Sequence, residues 1–195
     1  MGYRDLGNID ERIVQTVIEM GAANGVSSVS PKKIAEKLGI SAGTIYNRFG
    51  TLDNVIEEAA KSFDRPYIAQ VIQLAKEGMG IYDIWDRTLE AFLANPNGTL
   101  FYISYLNTAK YRYNPTGNSE RNDEFLAAVG QFMSEVYHLP DAQALMLWEY
   151  VTNMMFYYSE KIISNNIYDS PRTRAFIKRI VFDGVNNVLD RRYDE

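Results

Sequence analysis

Val26-Ser27-Ser28-Val29-Ser30-Pro31-Lys32-Lys33-Ile34-Ala35-Glu36-Lys37-Leu38-Gly39-Ile40-Ser41-Ala42-Gly43-Thr44-Ile45-Tyr46-Asn47-Arg48-Phe49 reads as two short helices joined by a glycine turn. Ser30 supplies an N-cap oxygen for an otherwise orphan backbone N–H, and Pro31 fits the first helical position, where a missing donor costs nothing. Ile34 and Leu38 make one apolar stripe, and Ala35 lets a crossing helix come close. Gly39 supplies the left-handed residue that ends the first helix, and Ile40 plugs the turn. Ser41 caps the second helix, whose buried stripe is Ile45 and Phe49.

Stepping about 100° per residue places Gly43, Thr44 and Asn47 on the face opposite that stripe, with Tyr46 and Arg48 on its flanks. A helix that enters a major groove needs small residues at its N-terminus (Ser41, Ala42, Gly43), then a hydroxyl and an amide to meet base edges (Thr44, Asn47). Lys32, Lys33, Lys37 and Arg48 stand against Glu36 alone, a basic patch in a chain of net charge -5. Contact with phosphates explains that surplus. The competing reading is a solvated charged face on two ordinary helices, because this geometry also occurs without DNA.

The motif extends in both directions. Upstream stands Ile13-Val14-Gln15-Thr16-Val17-Ile18-Glu19-Met20-Gly21-Ala22-Ala23-Asn24-Gly25, and downstream Gly50-Thr51-Leu52-Asp53-Asn54-Val55-Ile56. With Ile34-Ala35, Leu38-Gly39-Ile40-Ser41, Gly43-Thr44-Ile45-Tyr46 and Phe49, the segment resembles the DNA-binding domain of the TetR (tetracycline repressor) family of transcriptional regulators. The resemblance implies an all-α chain. A three-helix helix-turn-helix domain over 1–50 would be joined through a long helix to a ligand-binding and dimerisation domain over 51–195. It further implies a ligand-responsive regulator, a repressor acting on a palindromic operator, with Lys32, Lys33, Tyr46 and Arg48 on phosphates and Thr44 and Asn47 on bases. Two positions depart from the family pattern: Val29 replaces the usual Thr before the capping Ser, and Leu52 replaces a phosphate-binding Lys at the start of helix four. Residues 1–12 form no basic arm, since Arg4 and Arg12 face Asp5, Asp10 and Glu11.

Composition agrees with a small basic reader on an acidic body: the first fifty residues sum to +1 and the remainder to -6. At 195 residues, 46% hydrophobic and 13% aromatic, the chain can fill a large core. The absence of cysteine excludes a disulfide framework, a thiolate metal site and a cysteine nucleophile, and fits a cytoplasmic protein. No apolar signal core opens the chain, and Leu6 spoils the acylation pattern of Met1-Gly2. The longest apolar tract, Ala142 to Ile163, is interrupted by Glu149, Asn153, Glu160 and Lys161, so a buried helix is expected there and no membrane partner.

Helical spacing recurs throughout, and no run alternates as a strand would. Helices are expected over about 10–24, from Thr51 through Ala75 with a kink or break at Pro66, and over 81–94, 99–111, 123–138, 141–165 and 171–192. Gly78 with Gly80, Asn95-Pro96-Asn97-Gly98, the polar stretch 114–119, Pro140 and Asp169-Ser170-Pro171 separate them.

The last two helices carry more apolar surface than one shared core needs. A four-helix interface across a two-fold axis would use Met154, Tyr158, Ile177, Ile180, Val181, Gly184 and Val188. A fully buried helix in a monomer is the alternative. Two linked readers would gain roughly 10²–10⁴ in affinity through effective concentration.

Aromatics crowd the middle of the chain. Trp85, Tyr105, Phe132, Trp148 and Phe156, with Glu149, Thr152 and Asn153 on the long helix, are candidate contacts for a hydrophobic or aromatic effector, or else simple core. Glu149 suits a cationic ligand or an arginine at a subunit edge. Glu135-Val136-Tyr137-His138 has the spacing of carboxylate-bridged di-iron bundles, but His138 is the sole histidine, which disfavours a metalloenzyme. No cofactor, metal or catalytic residue is expected. A protein that kept this fold as a small-molecule binder and lost its operator remains the other alternative.

Overall fold

The computed structural model describes residues 9–108, 131, 134, 135 and 138–190, the side chains of 141 and 187–190 excepted. The described residues are all-α, as expected, with eight α-helices and no strand. They are α1 (Ile9–Asn24), α2 (Pro31–Leu38), α3 (Ala42–Phe49), α4 (Leu52–Lys76), α5 (Ile81–Ala94), α6 (Pro96–Leu106), α7 (Asp141–Ile163) and α8 (Pro171–Asp190). A 3-10 turn, Val26–Ser28, follows α1, and the sequence reading has no counterpart for it. The helix expected over 123–138 lies almost wholly outside the described residues.

The chain folds as two compact units, one holding residues up to Pro66 together with Asn95–Asn114, the other the remainder. The first packing unit is larger than the segment 1–50 expected to read DNA, and the reason is α6. Phe101 and Tyr105 on α6 are buried in the same core as Ile13, Val17, Ile34 and Ile45, so α6 belongs with the first three helices. Gly21 on α1 makes the approach possible: a Cβ there would lie 2.5 Å from Cδ2 of Phe101. Ser104 on α6 then accepts the backbone N–H of Val26 at 2.9 Å, fixing the turn after α1.

The termini in the first unit follow the local chemistry of the sequence. Ser30 accepts from the Lys33 amide and Ser41 from that of Thr44, each closing a first turn. Gly39, at φ 66 and ψ 36, ends α2 with the Ile40 amide on the Ala35 carbonyl and its own amide on that of Glu36, which satisfies the last carbonyls. Val29 is buried in the core rather than turned outward.

Helix α4 runs through Pro66 without the expected break. Ser62, whose carbonyl loses its donor to the proline, and Pro66 itself are both exposed, so water can take the freed acceptor.

In the second unit α5 and α8 run antiparallel: Asp86 pairs with Lys178, and the Asn186 side chain donates to the Tyr82 hydroxyl at 2.8 Å. Phe182 packs edge-on against Trp85, with ring centroids 5.6 Å apart. Phe92 stacks on Phe156 of α7 at 5.1 Å and meets Tyr67 of α4 edge-on.

Candidate functional site

Helix α3 is held from beneath by Ile45, fully buried, and by half-buried Phe49. Its other face carries Ser41, Gly43, Tyr46 and Asn47, all exposed, with Ala42 and Thr44 half-buried. The Thr44 hydroxyl lies 3.0 Å from that of Ser41, so it is shared with the N-cap, whereas the Asn47 amide projects from an exposed position. Of the two expected base readers, Asn47 has the greater reach.

The basic residues divide by partner. Lys32 is strongly exposed and sits a loose 3.9 Å from Glu36. The ammonium of Lys33 caps the Ser28 carbonyl at 2.9 Å, which stations it beside the entrance to α2. Lys37 instead crosses to Glu19 of α1 at 2.6 Å, and its hydrogen bond, ahead of that from Gln15, holds the Glu19 carboxyl below its ordinary range. One guanidinium nitrogen of Arg48 reaches both oxygens of Asp10, at 2.8 and 2.9 Å. Lys32, Lys33 and Tyr46 are thus the basic and phenolic groups of the patch turned toward solvent, while Arg48 is engaged by α1, a contact that sequence reasoning did not reach. Leu52 opens α4 half-buried and without charge, and the Thr51 hydroxyl caps the helix by accepting from the Asn54 amide at 3.1 Å.

The expected effector contacts divide between the two units and the surface. Tyr105 is core to the first unit. Trp85, Trp148 and Phe156 are buried in the second, where Thr152 bonds the Tyr67 hydroxyl. Burial pushes the Tyr67 phenol well above its ordinary range, with the Thr152 bond opposing. Glu149 and Asn153 lie with Met146, Tyr150 and Tyr157 on an exposed stripe of α7, because residues three and four apart share a face. Phe132 lies outside the described residues.

The expected association residues also divide. Ile177 and Val181 point into the unit with Phe182 and Val185, whereas Phe176, Ile180 and Gly184, four apart, form the exposed stripe of α8. A Cβ at Gly184 would meet the Tyr150 hydroxyl of α7 at 3.7 Å, an ordinary van der Waals distance. Met154 and Tyr158 are half-buried, and the side chain of Val188 is outside the described residues. The 3.6-residue period gives each stripe its width but not which of two apolar stripes faces inward, so it did not foretell that Phe176, Met146 and Tyr150 are exposed.

Among the described residues no three His, Asp or Glu side chains gather as a metal site, and no helix is long and apolar enough to cross a membrane.

Residues 13–59 match the family of bacterial regulatory proteins described as the tetR family. No curated protein matches the sequence. Among solved structures, the chain is similar to a TetR family transcription regulator from Marinobacter aquaeolei VT8, with a TM-score of 0.68, 14% identity, and 89% of this chain and 93% of that one covered. It is similar to the fatty acid degradation regulator FadR from Bacillus halodurans at a TM-score of 0.66, with 13% identity and coverage of 92% and 95%. A TerR/AcrR family transcriptional regulator from Aquifex aeolicus VF5 gives 0.60, with 16% identity and coverage of 92% and 98%. At these identities the likeness is one of fold.

Proposed function

On the premise that residues 13–59 belong to the tetR family of bacterial regulatory proteins and that the chain has the fold of such regulators, we propose that this protein is a cytoplasmic, ligand-responsive repressor. It binds a palindromic operator as a homodimer and performs no catalysis. The observation that carries this reading is α3 itself, buried through Ile45 and exposing Gly43, Tyr46 and Asn47 beside Lys32 and Lys33. The amide of Asn47 can offer a donor and an acceptor to one adenine edge, while Lys32, Lys33 and Tyr46 hold the backbone on either side.

The exposed stripes of α7 and α8 support the dimer: Met146, Tyr150, Phe176 and Ile180 are large apolar side chains open to solvent in the single chain. An effector in the second unit would act by binding differently to the DNA-competent and DNA-released states.

Selection of bound sequences from random duplex DNA by the purified protein tests the proposal. A palindromic consensus is expected. The second reading, a small-molecule binder of this fold with weak or lost DNA binding, is favoured by the diversion of Arg48 to Asp10 and by the uncharged Leu52, and it predicts no enrichment.

A further inference from the structure

Lys33 is held at both ends. Its backbone amide donates to Oγ of the capping Ser30 at 3.3 Å, and its ammonium donates to the carbonyl of Ser28 at 2.9 Å. A cation in the first turn of a helix opposes the helix dipole, so the stability of α2 does not explain a lysine there. A free lysine side chain samples many rotamers, and ordering it on a phosphate costs much of that freedom. The Ser28 carbonyl has already restricted the side chain. It occupies one of the three ammonium donors and leaves the others for a phosphate oxygen.

The position of that carbonyl is set from α6. Gly25, at φ 80, turns the chain out of α1, and its carbonyl accepts from Ser28 twice, from the amide at 3.0 Å and from the hydroxyl at 2.7 Å. The Val29 amide closes the turn on the Val26 carbonyl at 3.1 Å. Each of these bonds stays within the turn, whereas Ser104 reaches it from outside. Its Oγ accepts the Val26 amide across 78 residues of chain and lies 3.6 Å from where a Cβ on Gly25 would be. Phe101 and Tyr105, which flank Ser104 on α6, are buried in the same core as Val26 and Val29, so the hydroxyl is presented from a packed base. Val26 is itself buried. Removing the Ser104 oxygen therefore takes the acceptor from a buried N–H, and the turn must move to satisfy it.

We propose that Ser104 is a positioning residue for DNA binding: by fixing the Val26–Ser28 turn it holds the Ser28 carbonyl where Lys33 is kept aimed at a phosphate. This rests on the DNA-binding reading above and extends the contact machinery to α6, outside residues 13–59 that match the family.

The test is a thermodynamic cycle between Ser104→Ala and Lys33→Ala in the full chain. It is read by fluorescence anisotropy on a duplex of mixed sequence at low salt, because a phosphate contact needs no operator. Ser104→Ala is expected to weaken binding by about three- to tenfold, the loss of part of one lysine's restriction, and to change nothing when Lys33 is already alanine. A merely structural role lowers the folded fraction and weakens binding by the same factor in both backgrounds, and that result overturns the proposal. So does a Ser104→Ala protein that binds as the parent does. Should Ser104→Ala not fold, Ser28→Ala takes its place: it removes the hydroxyl bond to Gly25 at a half-buried position and is expected to show a smaller loss with the same dependence on Lys33. An equal loss with and without Lys33, or none, overturns the proposal there too. A Lys33→Ala protein that binds as tightly as the parent takes the ammonium off the phosphate, which sinks the positioning role and leaves DNA binding standing. A parent protein that binds no duplex at low salt sinks both.

Discussion

Arg48 of α3 and Asp10 of α1 are joined by one guanidinium nitrogen lying 2.8 and 2.9 Å from the two carboxylate oxygens. The pair ties the last turn of the helix proposed to read DNA to the first turn of the helix that supports it. It also removes from the DNA-facing charge the one arginine of α3.

Asp10→Asn should therefore release Arg48 to a phosphate. DNA affinity is expected to rise, and the slope of log K against log salt to steepen by about 0.9, the increment for one more phosphate neutralised. Glu11→Gln supplies the control, since it changes net charge equally at an exposed neighbour, while Arg48 pairs with Asp10. Equal slopes in the two variants, measured by fluorescence anisotropy over a salt series, would show that only net charge matters and that Arg48 stays with α1.

Lys33 and Asn47 should separate affinity from specificity. Lys33→Ala, or Tyr46→Ala, is expected to weaken binding to all sequences alike, and the lysine change should flatten the salt slope by about 0.9. Asn47→Ala should cost about 1–3 kcal/mol on the preferred sequence alone and relax the choice of base at one position of each half-site. Competition against scrambled duplex checks both. A uniform loss in Asn47→Ala would reassign that residue to the backbone.

What the sequence disclosed, and what it withheld, follows from the range of each interaction. Ser30, Gly39 and Ser41 act on amides within three residues, so both short helices and the turn were readable to the residue. Ile9, Ile13 and Val17 share a face by spacing alone and are buried. Arg48–Asp10 and Lys37–Glu19 span 38 and 18 residues, and nothing local marks either partner. The docking of α6 on α1 is not legible locally: Gly21 and Phe101 meet across eighty residues, and aromatics of core and chamber look alike in sequence. Glu149 and Asn153 were candidates for a ligand, with a subunit edge as the other reading for Glu149; both are exposed on the single chain, and polarity on an apolar helix marks a site, an edge or a solvent face alike in sequence.

The link between Arg174 and Asp169, made through two hydrogen bonds of 2.6 Å, should appear in the acid limb of the stability curve. The Arg174 bonds hold the Asp169 carboxyl below its ordinary value. A depressed folded pKa gives stability that is present above the unfolded value of about 3.9 and lost as pH falls through the folded one. Both side chains are about one-third exposed, so solvent screening confines the contribution to about 0.2–1 kcal/mol. Asp169→Asn is expected to lower Tm slightly at neutral pH and to converge with the parent near pH 2. Urea melts across pH 2–7 check it, and a constant offset over that whole range would attribute the loss to packing.

Gly21→Ala sets two known effects against each other. Alanine is favoured over glycine within a helix by about 1 kcal/mol. At this position, however, the new Cβ would stand 2.5 Å from Cδ2 and 3.1 Å from Cε2 of Phe101, a ring that is fully buried. Forcing a methyl group into a filled core costs typically about 1–3 kcal/mol, so overpacking prevails over most of that range and the variant should be destabilised by up to about 2 kcal/mol net. The strain falls on the packing of α6 against α1, next to the Ser104 hydroxyl that holds the turn after α1, so α2 and α3 should loosen with it. Phe101→Leu vacates space on the other side of the contact, and the double variant is expected to recover part of the loss, giving a coupling that the two single changes do not predict by addition. Urea melts of the four proteins measure this coupling. Strict additivity would place the strain of Gly21→Ala somewhere other than the Phe101 ring.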